Sequence, residues 1–178
     1  MLSFIRNNYH YEVKLYNKIL SFSRNKYFYD QIRLADTYQV RILLIFFHFS
    51  FLIINLKKKK SDLNSKKISQ KIFDFMFKRI EEDMRELSFG DVTVNKNMKI
   101  LVNKFYNILL NFENYMKFNN EKKIDLFNKY VLKESNGKNL RLPELIKYFN
   151  KYQSFCFDLS LNSVINGDLN FNHKMSLI

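Results

Sequence analysis

ILLIFFHFSFLIINL, residues 42–56, is the stretch on which the fold turns. It carries no charged residue, and Ile45, Phe46, Phe47, Phe49, Phe51, Leu52, Ile53 and Ile54 leave it apolar on every face. A helix that is apolar all round is buried, either in a protein core or in a bilayer. A bilayer span needs about 20 apolar residues, whereas this run stops after 15 against Lys57–Lys60. Length therefore favours a core helix that other helices cover from all sides. His48, Ser50 and Asn55 fit that reading, because each finds partners inside a bundle. A single membrane span over Val40–Leu56 is the competing reading.

The flanking sequence supplies the covering helices. Ile68, Ile72, Phe73, Met76, Ile80, Met84 and Leu87 recur at three and four residues, with Lys71, Lys78, Glu81, Glu82 and Glu86 on other faces. This is the pattern of an amphipathic helix. Phe89-Gly90-Asp91 ends it, with Gly90 expected in the left-handed conformation that commonly closes a helix. Val92-Thr93-Val94 reads as extended before Asn95 caps a further helix, whose buried face is Met98, Leu101, Val102, Phe105, Leu109, Phe112 and Met116. These two helices are expected to pack antiparallel. Upstream, Tyr9–Asp30 reads as one helix with Val13, Tyr16, Ile19, Leu20 and Phe22 on its stripe, and Asp36-Thr37 marks a helix start near Tyr38. Lys57–Lys67 reads as an exposed connection. A shorter helix is expected over Lys123–Lys133, a turn at Ser135-Asn136-Gly137, and a last strong helix from Leu142-Pro143 through Leu145, Ile146, Phe149 and Tyr152. Beyond Ile165 a loosely held end is expected, with Leu169 and Phe171 as anchors.

Composition agrees. In 178 residues, three Gly and one Pro leave few hairpin turns, while 19 Phe and 11 Tyr supply volume to fill the space between helices. The expected fold is all-α, a single helical-bundle domain of about six to eight helices. The single Cys156 excludes an intramolecular disulfide, and with His10, His48 and His173 it makes no metal-ligand spacing. No metal and no cofactor is expected. The net charge of +13 attracts anionic partners, whether lipid headgroups, RNA or acidic protein surfaces, without choosing among them. An AT-rich genome would raise Lys, Asn, Ile, Phe and Tyr for no functional reason.

Motifs for catalysis are missing. Glu81, Glu82, Asp83 and Glu86 occupy consecutive helical positions that point different ways, as on a solvated face. There is no Ser/His/Asp arrangement, phosphate loop or metal-ligand pattern. His48 has a claim on haem, but an isolated His in an aromatic run is more commonly a hydrogen-bonded core residue. Tyr27-Phe28-Tyr29 beside Arg24 and Lys26 has the composition of a stacking platform for single-stranded nucleic acid, though aromatics on a helical stripe are more often core. Lys57, Lys58, Lys59 and Lys60 suit an anionic surface, and a plain solvated loop equally well. Asp83, Arg85 and Glu86 beside Gly90-Asp91 suggest an ion-pair network at a helix end.

Taken in order, these landmarks resemble the ubiquinol-cytochrome c chaperone family. The match starts near Leu15-Tyr16, runs through Ser23–Tyr29, Asp36-Thr37 and Arg41, and reaches the apolar helix at His48. Its most specific block is Gln70–Asp74, then Asp83–Asp91, then Val94, Lys96, Met98 and Lys99, closed by Phe105-Tyr106. Weaker similarity continues at Leu145–Phe149 and Gly167–Phe171. Val40 departs from the small residue expected before Arg41, and the Lys57–Ser65 stretch is unusually basic. The resemblance implies a lead-in over 1–14, the chaperone domain over 15–171 and a tail over 172–178. It implies a non-enzymatic chaperone that binds newly made cytochrome b and promotes bc1 (complex III) assembly at a membrane, with no DNA partner. In mitochondrial members a second assembly factor and the ribosome exit region take part, and both stand as candidate partners here. Mitochondrial members carry long presequences, so the short lead-in points to the cytoplasmic side of a bacterial inner membrane, with the mitochondrial matrix as the alternative. The candidate contact surface is Arg85, Glu86, Gly90, Asp91, Lys96 and Lys99. Arg24, Tyr29, Asp36, Arg41 and Tyr106 are further structural or partner contacts. The rival function is a basic helical RNA- or ribosome-binding protein.

Overall fold

The apolar run forms the middle of helix α3 (Tyr38–Lys58), and every residue from Ile42 to Leu56 is buried. In this computed structural model, which describes residues 10–58, 63–134 and 139–172, five helices pack around it. They are α1 (His10–Ser23), α4 (Leu63–Glu86), α5 (Asp91–Phe112), α6 (Asn120–Val131) and α7 (Leu142–Asp158). Two short helices complete the fold: α2 (Tyr27–Asp30) at the corner between α1 and α3, and α8 (Leu161–Asn166) against α1. The protein is a single all-α domain, and no strand occurs among the described residues. Helix α3 is long and apolar enough to cross a membrane, but 89% of its most apolar window lies inside the bundle.

The core is aromatic. Phe47 stacks on Phe112 at 5.3 Å, Phe51 meets Tyr115 edge-on at 5.0 Å, and Phe127 stacks on Phe149 at 5.4 Å. Offset and edge-on ring pairs each add about 0.5–1.5 kcal/mol beyond the area they bury. The polar residues of α3 are accommodated without breaking this packing. His48 Nδ1 lies 2.6 Å from the Leu44 carbonyl and Nε2 lies 2.8 Å from the Tyr148 hydroxyl. A carbonyl only accepts, so Nδ1 carries the proton and the tyrosine donates to Nε2. The nitrogen a haem iron would need is engaged in this bond, and His48 is a core residue. Asn55 donates to the Cys156 carbonyl, joining α3 to α7.

Several elements differ from the sequence reading. Tyr9–Asp30 is not one helix, because Asn25 Oδ1 accepts the Tyr27 N–H at 2.9 Å and starts α2 separately. Val13 is exposed and Leu15 takes the buried place. Phe28 is fully buried, so the Tyr27–Tyr29 aromatics are core and corner, not a stacking platform. The Lys57–Lys67 connection is shorter than expected, with Lys57 and Lys58 ending α3 and Lys66 and Lys67 inside α4. Val92-Thr93-Val94 is helical, α5 beginning at Asp91 with an acid in its first turn, where the helix dipole favours negative charge. Met116 is exposed in a 3₁₀ turn (Tyr115–Lys117), and Tyr115 is buried instead. The segment after α8 is held: Leu169 is buried and Phe171 packs against Phe22, Tyr148 and Tyr152. The expected turn at Ser135–Gly137 lies outside the described residues.

Burial pushes the His48 pKa down from 6.5 to about 4, only partly opposed by its bond to Leu44. Its folded-state pKa lies below the unfolded value, so the unfolded chain binds the proton first. The stability this neutral imidazole contributes is complete above about pH 6.5 and is lost as pH falls toward 4. Urea unfolding near pH 7 and near pH 5 is expected to show a smaller pH-dependent loss in His48→Gln than in the native chain. Tyr148→Phe leaves Nε2 without a donor and is expected to cost about 1–3 kcal/mol at neutral pH.

Candidate docking surface at the α4–α5 end

The turn between α4 and α5 is built by hydrogen bonds that pin its backbone. The Phe89 N–H reaches the Met84 carbonyl at 3.3 Å and the Ser88 N–H the Arg85 carbonyl at 3.0 Å. Together with Ser88 at φ +64°, this is the six-to-one closure of a helix C-terminus. The left-handed position thus falls on Ser88, not on Gly90 as expected. Gly90 is extended (φ −64°, ψ 151°) and caps α5, its carbonyl accepting the Val94 N–H at 3.0 Å. Arg85 spans the turn: Nη2 donates to Glu81 at 2.8 Å, and Nη1 pairs with Asp91. Of the expected ion-pair network Arg85 and Asp91 take part, and Glu81 supplies the α4 partner in place of Asp83 and Glu86.

Charge here frames exposed apolar surface. Leu87, read from sequence as part of the buried stripe, is exposed, as is Phe89. Along α5, Val92, Lys96, Lys99, Asn103, Tyr106 and Leu110 are all exposed at alternating spacings of four and three, so they form one stripe along the outer face. Val92 is 84% exposed, and Ile100, beside the stripe, is 52% exposed. A groove of about 210 Å³ runs between the start of α3 and α5. Tyr38 and Ile42 form one wall, Asn97, Ile100 and Leu101 the other, and Met84 and Phe89 close its end. Lys104 at its edge is held by Glu134 at 3.0 Å.

The remaining candidates divide into two places. Arg24, Tyr29, Asp36 and Arg41 gather at the α1–α2–α3 corner. Arg41 grips Asp36 through Nε and Nη2 at 2.7 and 2.9 Å, and the Tyr29 hydroxyl donates to the Ser23 carbonyl at 3.1 Å. Hydrogen bonding from Arg41 holds the Asp36 carboxyl below its usual range. Burial raises the Asp83 pKa, opposed by Arg79 and Arg24, so Arg24 links this corner to α4. Tyr106 and Lys57 meet at the other end of α5, beside α3 and α4. Lys58 is exposed there too, while Lys59 and Lys60 lie outside the described residues. Sequence reasoning missed Phe89, Val92 and Ile100 as surface residues. For Val92 and Ile100 the signal existed, since both fall outside the three-four pattern of the buried face.

Among the described residues no His, Cys, Asp and Glu group is placed to hold a metal ion. Charged side chains that lock a turn and leave apolar side chains in solvent make this end of an all-α domain the candidate docking surface. Residues 30–171 match the model of the ubiquinol-cytochrome C chaperone family, and the chain belongs to that family. Membership gives it a chaperone role in bc1 assembly. Its fold is similar to the crystal structure of the Cbp3 homolog from Brucella abortus, with a TM-score of 0.79 and 21% identity. The superposition covers 94% of this chain and 91% of that one. No curated protein matches the sequence.

Gly90 and Gly167 are expected to respond differently to alanine. A Cβ at Gly90 meets nothing within 4 Å, whereas at Gly167 (φ +72°) it would lie 2.7 Å from Lys14 Cβ. Urea denaturation is expected to place Gly90→Ala within about 0.5 kcal/mol of the native chain, and Gly167→Ala more than about 1 kcal/mol below it.

Proposed function

We propose that this chaperone receives newly synthesised cytochrome b on the outer face of α5 and the adjoining α4–α5 turn, and holds it for bc1 assembly at a membrane. The observation that carries the reading is the exposed apolar stripe, Val92, Tyr106 and Leu110 with Ile100 beside it, interleaved with Lys96 and Lys99. A client made of transmembrane helices exposes apolar surface before its partners arrive. A helix face with exposed aliphatic and aromatic residues accepts such a helix side by side, and the lysines suit the carbonyl end of a helix or nearby lipid phosphates. Arg85, Gly90 and Asp91 act from below: they fix the start of α5, and with it the direction of the stripe. Glu86 closes α4 at the same end. Lys57 and Lys58 at the opposite end meet the anionic membrane.

The RNA-binding reading is less favoured, because Phe28 at the centre of its proposed stacking platform is buried, Tyr27 and Tyr29 are half-buried against the core, and the exposed face of α5 is as apolar as it is basic. The two readings differ in salt dependence. Phosphate contacts weaken steeply as salt rises, and apolar docking does not.

Capture of cytochrome b synthesised in a cell-free system with membranes tests the proposal. Val92→Asp/Ile100→Asp is expected to reduce capture at least about tenfold, since each change places a charge where apolar contact forms. Phe157→Asp, exposed on α7, is expected to leave capture unchanged. Arg85→Ala is expected to reduce capture a few-fold with its helical circular dichroism intact, because the ion pairs it loses are exposed to solvent and screened there. Equal capture by the native chain and the double variant would refute the α5 surface.

A further inference from the structure

A second cavity, of about 540 Å³, opens where the last turns of α3 and the first half of α4 meet α5. That volume lies within the range of about 300–1,000 Å³ usual for ligand pockets. Its inner wall is apolar. Ile53, Phe105 and Leu109 belong to the core, and Phe73 lies against Tyr106 with ring centroids 5.5 Å apart.

The mouth has a different chemistry. Lys57 from α3 and Lys66 from α4 stand on its two sides, exposed, and neither forms an ion pair among the described residues. Two further polar side chains at the rim are engaged along α4: Ser69 donates to the Ser65 carbonyl at 2.8 Å, and the Gln70 amide donates to Asp74 at 2.7 Å. The two ammonium groups therefore set the character of the opening. A free phosphate would satisfy them and leave the apolar interior wet. A neutral apolar side chain would fill the interior and leave both cations without a counter-charge. The complement of the whole cavity is an amphiphile with an anionic head and a hydrocarbon tail.

We propose that this cavity takes one acyl chain of an anionic membrane phospholipid, whose phosphate lies between Lys57 and Lys66. The proposal rests on the reading that this basic end of the molecule meets anionic membrane, and it adds to that contact a defined lipid site. It also orients the docking stripe. Tyr106 belongs to both, so the outer face of α5 starts at lipid level and leads from there toward the Arg85 turn. A client helix leaving the bilayer would meet the stripe at its membrane end.

The chain has no tryptophan, so the full-length Tyr106→Trp variant carries a single reporter at the cavity. It is mixed with phosphatidylcholine vesicles containing about one-third phosphatidylglycerol, the latter with brominated acyl chains that quench on contact. Sedimentation with the vesicles and strong quenching are expected. Lys57→Gln/Lys66→Gln is expected to weaken binding by about thirtyfold, the effect of losing two cations beside anionic lipid. Native mass spectrometry of the unaltered chain, independent of the reporter, is expected to show one phosphatidylglycerol bound per chain. Sedimentation without quenching or a bound lipid would overturn the cavity site and leave the surface contact standing. No sedimentation with anionic vesicles would overturn both. Equal quenching by brominated phosphatidylcholine alone would overturn the anionic specificity.

Discussion

A helix without a polar face imposes its own surroundings. Any side of α3 left open would expose apolar area at a cost of about 25 cal/mol per Å², so the covering helices must arrive from every direction. Five of them do, and most of the architecture follows. Helices that cover a cylinder need only one apolar stripe each, which is why α4 and α7 are amphipathic while α3 is not. The few polar groups of α3 then become points of registration. His48 accepts from Tyr148 and Asn55 donates to Cys156, so α3 and α7 are tied at two levels of the stack. Sliding either helix by one turn would leave both pairs unmet in a dry core, where an unsatisfied polar group costs about 1–3 kcal/mol.

The parts of this fold readable from sequence are those that follow from burial. The apolar run at residues 42–56, the three-four pattern of α4 and the Pro143 helix start appear where they were expected, because each reflects a preference that local sequence states directly. The failures lie at junctions. Val92-Thr93-Val94 looks extended by β-propensity, yet Val94 is buried in the first turn of α5, and tertiary packing overrides a preference worth less than about 1 kcal/mol. Phe89-Gly90 looks like a helix end closed by glycine, yet the backbone closure falls two residues earlier on Ser88. The two helices need an extended residue between them, and Gly90 serves as cap to the second. Asn25 splits the first helix through a side-chain bond that periodicity cannot reveal.

The candidate surface was half legible for a related reason. Arg85, Asp91, Lys96 and Lys99 were singled out by charge and by resemblance, and α4–α5 does present them at one end and along one face. Charge marks what is exposed. It does not say which apolar residues share that exposure, and Leu87 was assigned to the buried stripe because it continues the spacing of Ile80 and Met84. The helix stops at Glu86, so the periodicity no longer applies to the next residue.

The position of α5 bears on both proposals, the docking face and the lipid cavity. Its inner side supplies Phe105, Ile108, Leu109 and Phe112 to the core against α3, so its axis is fixed by the most buried element of the molecule. Its ends are fixed separately, by the Arg85 bridge to Asp91 at one and by Tyr106 packed at a tilt against Phe73 near the other. A surface that must accept a bulky apolar client without collapsing onto it needs this rigidity, because a flexible apolar face would bury itself in its own fold. Placing the exposed stripe on the helix most firmly held from behind keeps Val92, Ile100 and Leu110 in solvent. The free-energy cost of that exposure is offset by the apolar area buried around α3.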